Sequence, residues 1–574
     1  MAAPARDWIR GAALALVLAA PGGAMAQGFA GDYLAARQAS IFGDFEAAAR
    51  YYDRTIARDN SRPELLERSI FAHMALGEFD RAGSLGDRLT ELGQSSRIAQ
   101  MAMIADRLSG GDYAGTVAMI EDGKGVGTVV DGLIGAWALL GEGDMSAALV
   151  AFDEVAQMQG LAPLASYHKA LALASVGDYE GAQAIFASGA MGSVQGTRRA
   201  IMAHAEVLSQ LDRTDEALAL LNDSFGPGID PGLRALRDSL ESGEALPFTH
   251  AQSARDGLAE VFYTLAGAFS SEMSSDFLLI YSRIATELRP DHIDAQLLTA
   301  ELYDEVGQFD LAVEAYRQVP RDDPSFHAAE LGRAESLRRS GRDDAAVEVL
   351  ESLADSHGDL PVVMSALGDT YRTMERFEAA VDAYTAALDL FAEPDTAQWF
   401  LYYARGISQE RQGNWDEAES DFRAALELNP EQPQVLNYLG YSLVEQQENL
   451  DEALAMIERA VEIEPNSGYI VDSLGWVLYR LGRYDEAVGH MERAAELMPI
   501  DPVVNDHLGD VYWAVGRELE AEFMWNRALS FVDAEDVSQD ADPDRIRRKL
   551  EVGLDTVLAE EGSPPLDVAA DEQR

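Results

Sequence analysis

The sequence contains no cysteine and only three lysines, Lys124, Lys169 and Lys549, among its 574 residues. The lack of cysteine excludes disulfides, thiolate nucleophiles and cysteine-ligated metals. The scarcity of lysine leaves little room for Schiff-base chemistry. Acidic residues exceed basic ones so strongly that the formal net charge is −55. Such a charge disfavours nucleic acid and anionic lipid and favours basic partners, although acidity spread over the whole chain can also serve solubility alone.

Long apolar runs are also missing, apart from a short one near the start. Arg6 and Arg10 precede the apolar run "GAALALVLAA", residues 11–20. The small residues at Ala24–Ala26 are typical of a signal-peptide cleavage site. The run has about half the length needed to span a bilayer. We therefore expect a secretory signal over residues 1–26, cleaved after Ala26, and a periplasmic mature protein with no stable membrane insertion. The alternative, an uncleaved amphipathic anchor, is disfavoured because the segment has no polar face.

A short turn-like motif recurs along most of the chain, as in "LGRYDEA" ending at Ala487. Its members form two series, and within each series the spacing is 32 to 38 residues. Five residues after each turn begins there is a small residue, which is Ala in twelve of thirteen cases and Thr116 in the other. The turns begin at Gly43, Gly77, Gly111, Gly143, Gly177, Asp212, Gly307, Gly341, Glu375, Gly413, Glu448, Gly482 and Gly516.

The spacing of apolar residues around each turn is helical. Val471, Leu474 and Leu478 share one face before the turn at Gly482, and Ala487 and Met491 share one after it. Glycine permits the positive φ that ends the first helix, and a small residue lets two helices cross closely. Each unit is therefore predicted to be a helical hairpin, which must stack on its neighbours to bury its apolar faces.

These units resemble the tetratricopeptide repeat, in which Leu-Gly, aromatic, Ala and Pro positions recur at set offsets. The match is strongest near the end, with Leu439-Gly440, Leu474-Gly475 and Leu508-Gly509, and with closing prolines such as Pro465 and Pro499. The resemblance implies an all-α, right-handed superhelical solenoid of hairpins in two arrays. The predicted divisions are residues 27–224 (about six repeats), 225–256 (a linker rich in Pro and Gly), 257–532 (about eight repeats), 533–562 (a capping helix) and 563–574 (a disordered tail).

Three stretches invite a chemical interpretation, and each has a simpler one. "DGKGVGT" from Asp122 has the glycines of a phosphate loop but lacks its Gly-Lys-Ser/Thr ending. Ser166 and Lys169 have Ser-x-x-Lys spacing without the companion motifs of penicillin-binding enzymes. Asp540, Asp542 and Asp544 alternate as in a calcium loop, but Arg545 stands where that loop needs glycine. We predict no enzyme, no cofactor and no metal site.

The resemblance also implies a binding surface, because the first helix of each hairpin in such proteins lines a concave groove. Applied to the last four units, its register predicts an aromatic and acidic groove for other proteins or peptides, in which Asn437 can hold peptide backbone. The alternative for each ring is packing against the next hairpin. The predicted partner-binding residues are Phe400, Tyr403, Asn437, Tyr441, Tyr469, Asp472, Trp476, Tyr479, Arg480, Asp506, Asp510 and Trp513.

The run "LNYLGYSLVEQQENLDEALAMIERAVEIEPNSGYIVDSLGWVLYRLGRYDEAV" is similar to long tetratricopeptide proteins of the bacterial envelope. That family includes adaptors that bring cell-wall hydrolases to a carboxyl-terminal-processing protease. The resemblance implies a non-catalytic periplasmic scaffold or adaptor. Two alternatives stay open: an assembly factor for envelope polysaccharide or outer-membrane machinery, and an enzyme built from scattered carboxylates such as a glycosidase. The sequence indicates no oligomeric state.

Overall fold

The computed structural model describes residues 29–225, 231–392, 395–532, 541–563 and 566. The regular structure in these ranges is helical throughout, which confirms the predicted all-α class. The predicted signal, residues 1–26, lies outside them. Two short 3₁₀ helices occur at Gly192–Gly196 and Thr396–Gln398. The α-helices of the described residues are α1 Phe29–Ile41, α2 Phe45–Ile56, α3 Pro63–Leu76, α4 Phe79–Glu91, α5 Arg97–Ser109, α6 Tyr113–Glu121, α7 Thr128–Gly141, α8 Met145–Ala156, α9 Ala162–Ser175, α10 Tyr179–Ala187, α11 Arg198–Gln210, α12 Thr214–Phe225, α13 Pro231–Glu241, α14 Ala254–Ala268, α15 Ser275–Leu288, α16 Ile293–Glu305, α17 Phe309–Tyr316, α18 Phe326–Arg339, α19 Asp343–His357, α20 Pro361–Thr373, α21 Phe377–Asp389, α22 Trp399–Glu410, α23 Trp415–Leu428, α24 Pro433–Glu445, α25 Leu450–Ile463, α26 Gly468–Arg480, α27 Tyr484–Leu497, α28 Pro502–Ala514, α29 Glu518–Phe531, α30 Pro543–Val552 and α31 Leu554–Glu560.

The predicted turns join successive helices into hairpins, whose first helix is called helix A below and whose second is called helix B. Gly413 and Gly482 have φ of 80° and 72°, the left-handed conformation that ends a helix A. Asp212 and Glu375 stand where other turns have glycine, and they adopt the same conformation with φ of 56° and 58°. The thirteen small residues that follow the turns are all buried, with at most 1% of each exposed. The prediction that they lie where two helices cross is confirmed.

Glycines in helix A allow a second close approach within the hairpin. A Cβ atom on Gly475 of α26 would lie 2.2 Å from the sulfur of Met491 in α27. One on Gly509 of α28 would lie 2.4 Å from the indole nitrogen of Trp525 in α29. The Leu-Gly pairs of the sequence therefore mark where a large side chain of helix B fills the space that glycine leaves.

The chain divides into two compact units, the first extending to Leu350 and the second beginning at Glu351. This division differs from the predicted one, which placed a linker at residues 225–256. Most of that range is described, and it holds α13 followed by buried side chains such as Leu246, Phe248 and His250. The described apolar residues of this range are packed into the first unit, so residues 231–256 do not form a free linker. Residues 226–230 lie outside the described residues.

In the first unit, α14 and α15 lie against the A helices of the first hairpins. Arg255 of α14 donates to the carbonyl of Ser109 at the end of α5, at 2.8 Å. Arg283 of α15 donates to the carbonyl of Leu76 at the end of α3, at 3.0 Å. These carbonyls have no acceptor role within their helices, so the two arginines satisfy them and meet the negative end of each helix dipole.

A fully buried carboxylate fixes α14 in this position. The two oxygens of Glu260 accept from the hydroxyl of Tyr167 in α9 at 2.8 Å and from Arg199 in α11 at 2.9 and 2.6 Å. They also accept from Nε2 of His292 in α16 at 3.0 Å. Burial alone would raise the pKa of Glu260, but Arg199 and His292 hold it well below its ordinary value. The A-helix face of the first hairpins is thus covered by helices that follow later in the same chain.

In the second unit, five hairpins run from α20 to α29, and α30 and α31 follow them. The predicted single capping helix is divided at Gly553, which has φ of 82° and lies against Trp513. Residues 533–540 of that prediction lie outside the described residues, as does the predicted disordered tail except for Ser563 and Leu566. Within the described ranges, no helix combines the length and the apolar character needed to cross a membrane.

Candidate protein-binding surface

The twelve predicted binding residues all lie on A helices of the second unit, namely α22, α24, α26 and α28. Four of them, Tyr403, Asn437, Asp472 and Asp506, occupy the same position in successive A helices, at spacings of 34, 35 and 34 residues. This series defines a track along the A-helix face of the unit. Its members differ sharply in what covers them.

At the end of the track the face is filled by the chain itself. Lys549 of α30 is fully buried, and its Nζ lies 2.8 Å from Asp506 Oδ2 and 2.6 Å from Asp510 Oδ1. The indole nitrogen of Trp525 also donates to Asp510, at 2.8 Å. The prediction that Asp506 and Asp510 face an open groove is therefore wrong for this structure, because a buried lysine needs these carboxylates as partners.

Trp513 also contacts the terminal helices, since its indole nitrogen donates to Asp555 of α31 at 3.0 Å. Burial raises the pKa of the Asp506 carboxyl, and the nearby Asp510 acts in the same direction, while Lys549 opposes both. The last of the four predicted units is thus the docking place of the terminal helices.

One step back along the track, the predicted residues pack on the next A helix. Asp472 accepts from His507 of α28 at 3.0 Å, and the indole of Trp476 stacks on the same imidazole at 3.9 Å between centroids. Burial alone would lower the pKa of His507, but the Asp472 carboxylate overcomes it and the pKa lies above its ordinary value. Tyr479 stacks on Trp476 at 4.9 Å and is 7% exposed. Trp476 and Tyr479 therefore act largely in packing between hairpins.

Towards α22 the face is open. Phe400 and Tyr469 are 39% and 46% exposed, although each has a large apolar ring. Burial, followed by the nearby Tyr469 hydroxyl, raises the pKa of Tyr403 to about 12. Tyr403 and Tyr469 come from A helices on either side of α24, whose Asn437 lies at the intervening position of the track. Below, "open face" means these four residues together with Asp472.

Two acceptors of the open face lack partners. Asn437 and Asp472 are each 7% exposed, and the Oδ1 atom of each is buried without a hydrogen bond. A buried acceptor without a donor costs free energy, on the order of 1–3 kcal/mol. Natural folds seldom leave such atoms unpaired, so each is a place where a water, an ion or a donor from outside the chain can bind.

The remaining predicted residues lie at the edge of this region. Arg480 is exposed and pairs with Glu445 of α24 at 3.0 Å, and Tyr441 is half-buried. A cavity of about 720 Å³ lies between α26 and the terminal helices, lined by Trp476, Arg480 and Arg545 among others. The open face is thus bounded on one side by the terminal helices.

The sequence interpretation missed Lys549, His507 and Arg545 as parts of this region. Lys549 could have been noticed as the last of three lysines in an acidic chain, within the basic run "RIRRK". Nothing local in that run says which carboxylates it meets, because Asp506 lies 43 residues away.

The alternative chemical motifs have ordinary structural roles. In the "DGKGVGT" stretch, the backbone amides of Val126 and Gly127 donate to Asp131 at 2.7 and 3.1 Å. Lys169 pairs with Asp153 at 2.6 Å. Asp542 caps α30 by accepting from the amide of Asp544 at 2.8 Å, while Asp540 lies outside the described residues. These contacts give Asp131, Lys169 and Asp542 roles in the packing and capping of the helices.

Family models for the tetratricopeptide repeat match residues 285–361, 365–405 and 403–468, and a second model of the same repeat matches residues 471–501. The chain therefore carries tetratricopeptide repeats in these ranges, which include α22, α24 and α26. Repeats of this kind are generally non-catalytic scaffolds that bind other proteins or peptides. The similarity to envelope adaptors in particular stays a hypothesis.

The relatives described next align with part of this chain. The chain is 30% identical over 136 residues to the general transcriptional corepressor ssn6 of Schizosaccharomyces pombe, which is 24% of this chain and 12% of that protein. It is 24% identical over 139 residues to the protein O-mannosyl-transferase TMTC1 of Homo sapiens, which is 24% of this chain and 16% of that protein. The match thus spans under one fifth of either relative. Among solved structures, a tetratricopeptide repeat protein from Parabacteroides merdae aligns with a TM-score of 0.36 and 17% identity, over 45% of this chain and 97% of its own.

Proposed function

We propose that this protein is a non-catalytic scaffold that holds a protein partner on the open face of its second unit. The observation that carries the proposal is the pair of buried, unpartnered oxygens on Asn437 and Asp472, set beside the exposed rings of Phe400 and Tyr469. Aromatic side chains are enriched among the hot spots of protein-binding surfaces. Asp506, the last member of the track, is already covered by α30, so a partner fits on the open face formed around the other three.

Affinity purification tests this proposal. The mature chain would be used as bait against a cell extract, next to the double variant Phe400→Ala/Tyr469→Ala. The matched control is Leu519→Ala/Phe523→Ala, which truncates two apolar side chains of α29, away from the open face. These side chains are 79% and 64% exposed. We expect mass spectrometry to recover the same proteins with the wild type and the control, and at least fivefold less with the open-face variant, since hot-spot truncation typically costs upward of 1 kcal/mol. Equal recovery with all three baits would refute the proposal.

A finer role follows if the amino-terminal segment is a signal. We propose that the protein is exported to the periplasm and acts there as an adaptor between a processing protease and cell-wall hydrolases. The predicted export segment at residues 1–26 and the resemblance of the last repeats to envelope proteins support this role. Deletion of the gene should then slow the turnover of one or more hydrolases. Unchanged turnover together with loss of a stable envelope complex would favour an assembly factor instead.

A further inference from the structure

This chain contains two examples of a helix covering an A-helix face, and each uses a fully buried charge. In the first unit, α14 brings Glu260 against donors of the A helices α9 and α11, which are Tyr167 and Arg199. In the second unit, α30 brings Lys549 against carboxylates of the A helix α28. In the first case a carboxylate meets a cation and a hydroxyl donor, and in the second an ammonium group meets two carboxylates. Each buried charge therefore has partners of complementary charge or hydrogen-bonding role, as burial requires.

Apolar side chains accompany the charge in both covering helices. Leu258 and Phe262 of α14 flank Glu260 and are fully buried, as is Ile546 one turn before Lys549 in α30. Both covering helices therefore have an apolar stripe that contains one buried charged residue. The apolar residues supply most of the burial, and the charge selects the position along the face.

The unpaired buried atoms of the open face are acceptors. Asp472 uses one carboxylate oxygen for His507 and leaves Oδ1 without a donor, and Oδ1 of Asn437 one repeat earlier is equally unpaired. Tyr403, Tyr469 and Phe400 provide the apolar surroundings. The chemistry that fits is a cationic donor set among apolar side chains, which is the arrangement that Lys549 already shows one repeat further on.

We infer that the partner of the open face is a helix of another protein whose apolar stripe contains a lysine or arginine, and that this cation pairs with Asp472. The inference rests on the proposed function and names the partner chemistry. Both covering segments in this chain are helices, which favours a helix over an extended peptide. The strong negative net charge of the chain favours approach of a basic segment.

A second copy of this chain is the less fitting occupant. Its one run with four basic residues in five positions is "RIRRK" in α30. Lys549 of that run is already paired with a carboxylate of α28 in the same chain. A copy that inserted α30 into a neighbour would leave Asp506 and Asp510 buried without their cation.

The test uses the full mature chain and three synthetic amphipathic peptides. Each peptide forms a helix with a leucine stripe, and the central stripe residue is lysine, norleucine or glutamate. Binding is measured by fluorescence anisotropy at low and at physiological salt. We expect the lysine peptide to bind about tenfold more tightly than the norleucine peptide and the glutamate peptide to bind most weakly, as expected for a partly desolvated pair.

Two variants locate the effect. Asp472→Asn removes the charge and keeps a hydrogen-bond acceptor for His507, and it should reduce the preference for lysine to less than about threefold. Asp485→Asn, an exposed acid at the start of α27 in the same hairpin, makes the same change in net charge and should keep the full preference. If Asp472→Asn unfolds the protein, the three peptides on the wild-type chain still decide the matter.

The outcomes separate this inference from the proposed function. Equal binding of the three peptides, or a lysine preference that Asp472→Asn leaves intact, would overturn the inference. If proteins recovered by the wild-type bait are lost with Phe400→Ala/Tyr469→Ala while no lysine preference appears, the scaffold stands and the basic helix fails. Self-association of the chain in sedimentation experiments, abolished by Asp472→Asn, would assign the face to a second copy and also overturn the inference.

Discussion

The two units of this protein are built from the same hairpin but differ in what covers their A helices. In the first unit, α14 and α15 lie on the A helices of the early repeats, and Glu260 is paired with Tyr167, Arg199 and His292. In the described part of the second unit, α30 covers the last stretch, and Asn437 and Asp472 keep unpaired oxygens. The difference shows that repeat identity alone does not make a binding surface. The proposed binding surface lies where the described chain leaves the A helices uncovered.

The largest expected effect comes from breaking the covered face of the first unit. Glu260→Ala leaves Arg199 and Tyr167 buried without their acceptor, and we expect it to lower the free energy of unfolding of this unit by about 3–5 kcal/mol. Hydrogen exchange, which reports on each unit separately, is the measurement. Glu244→Ala is the control, because Glu244 is exposed, and it should stay within about 0.5 kcal/mol. A loss confined to the second unit would contradict the assignment.

The equivalent break in the second unit should be slightly smaller. Lys549→Met leaves Asp506 and Asp510 buried together, and we expect a loss of about 3 kcal/mol with increased exchange in α30 and α31. One carboxyl can take up a proton, which limits the loss. Lys124→Met removes an exposed lysine whose pair with Asp122 is solvent-screened, so its effect should be near zero. If both lysine variants behave alike, the docking of α30 by Lys549 is wrong.

A third pair of variants tests whether the turns of the hairpins contribute equally to the stability of the two units. Asp212 in the first unit and Glu375 in the second have positive φ without being glycine. Asp212→Gly and Glu375→Gly should each stabilise their unit by about 1 kcal/mol, because glycine adopts this conformation without the clash of a Cβ atom. Denaturant unfolding followed by hydrogen exchange would show it. A gain in one unit only would mean that the turns, and not only the covering helices, differ between the units.

The smallest effect concerns pH in the second unit. The pKa of His507 is raised by Asp472, with Asp506 and Asp510 also facing the ring, so the pair stabilises the fold fully below the unfolded pKa of about 6.5. This contribution is lost as the pH rises through the pKa of the folded state. Relative to His507→Gln, the wild type should therefore lose on the order of 1 kcal/mol of stability between pH 6 and pH 9. The same pH dependence in both proteins would exclude the His507–Asp472 pair as its source.

Much of the hairpin architecture could be predicted from the sequence because its causes are local. The turn at Gly482, the buried Ala487 and the contact of Gly475 with Met491 all follow from spacing within one unit. What covers an A helix is not local. Asp472 and Asp506 occupy the same position of the repeat, yet one keeps a free oxygen and the other holds Lys549. Periodicity identifies the face, and only the three-dimensional structure identifies its occupant.

The placement of α14 to α16 also bears on how the first unit is made. Repeat proteins usually fold through contacts between adjacent units, which are close in sequence. Here the Tyr303 hydroxyl donates to the carbonyl of Ala75, 228 residues earlier, and Arg283 reaches back 207 residues to Leu76. The early repeats must therefore wait until about half of the chain has been synthesised before their A helices are covered. During that time they present an apolar surface, so the nascent chain has a greater need of chaperone protection than the rapid local folding of a repeat array would suggest.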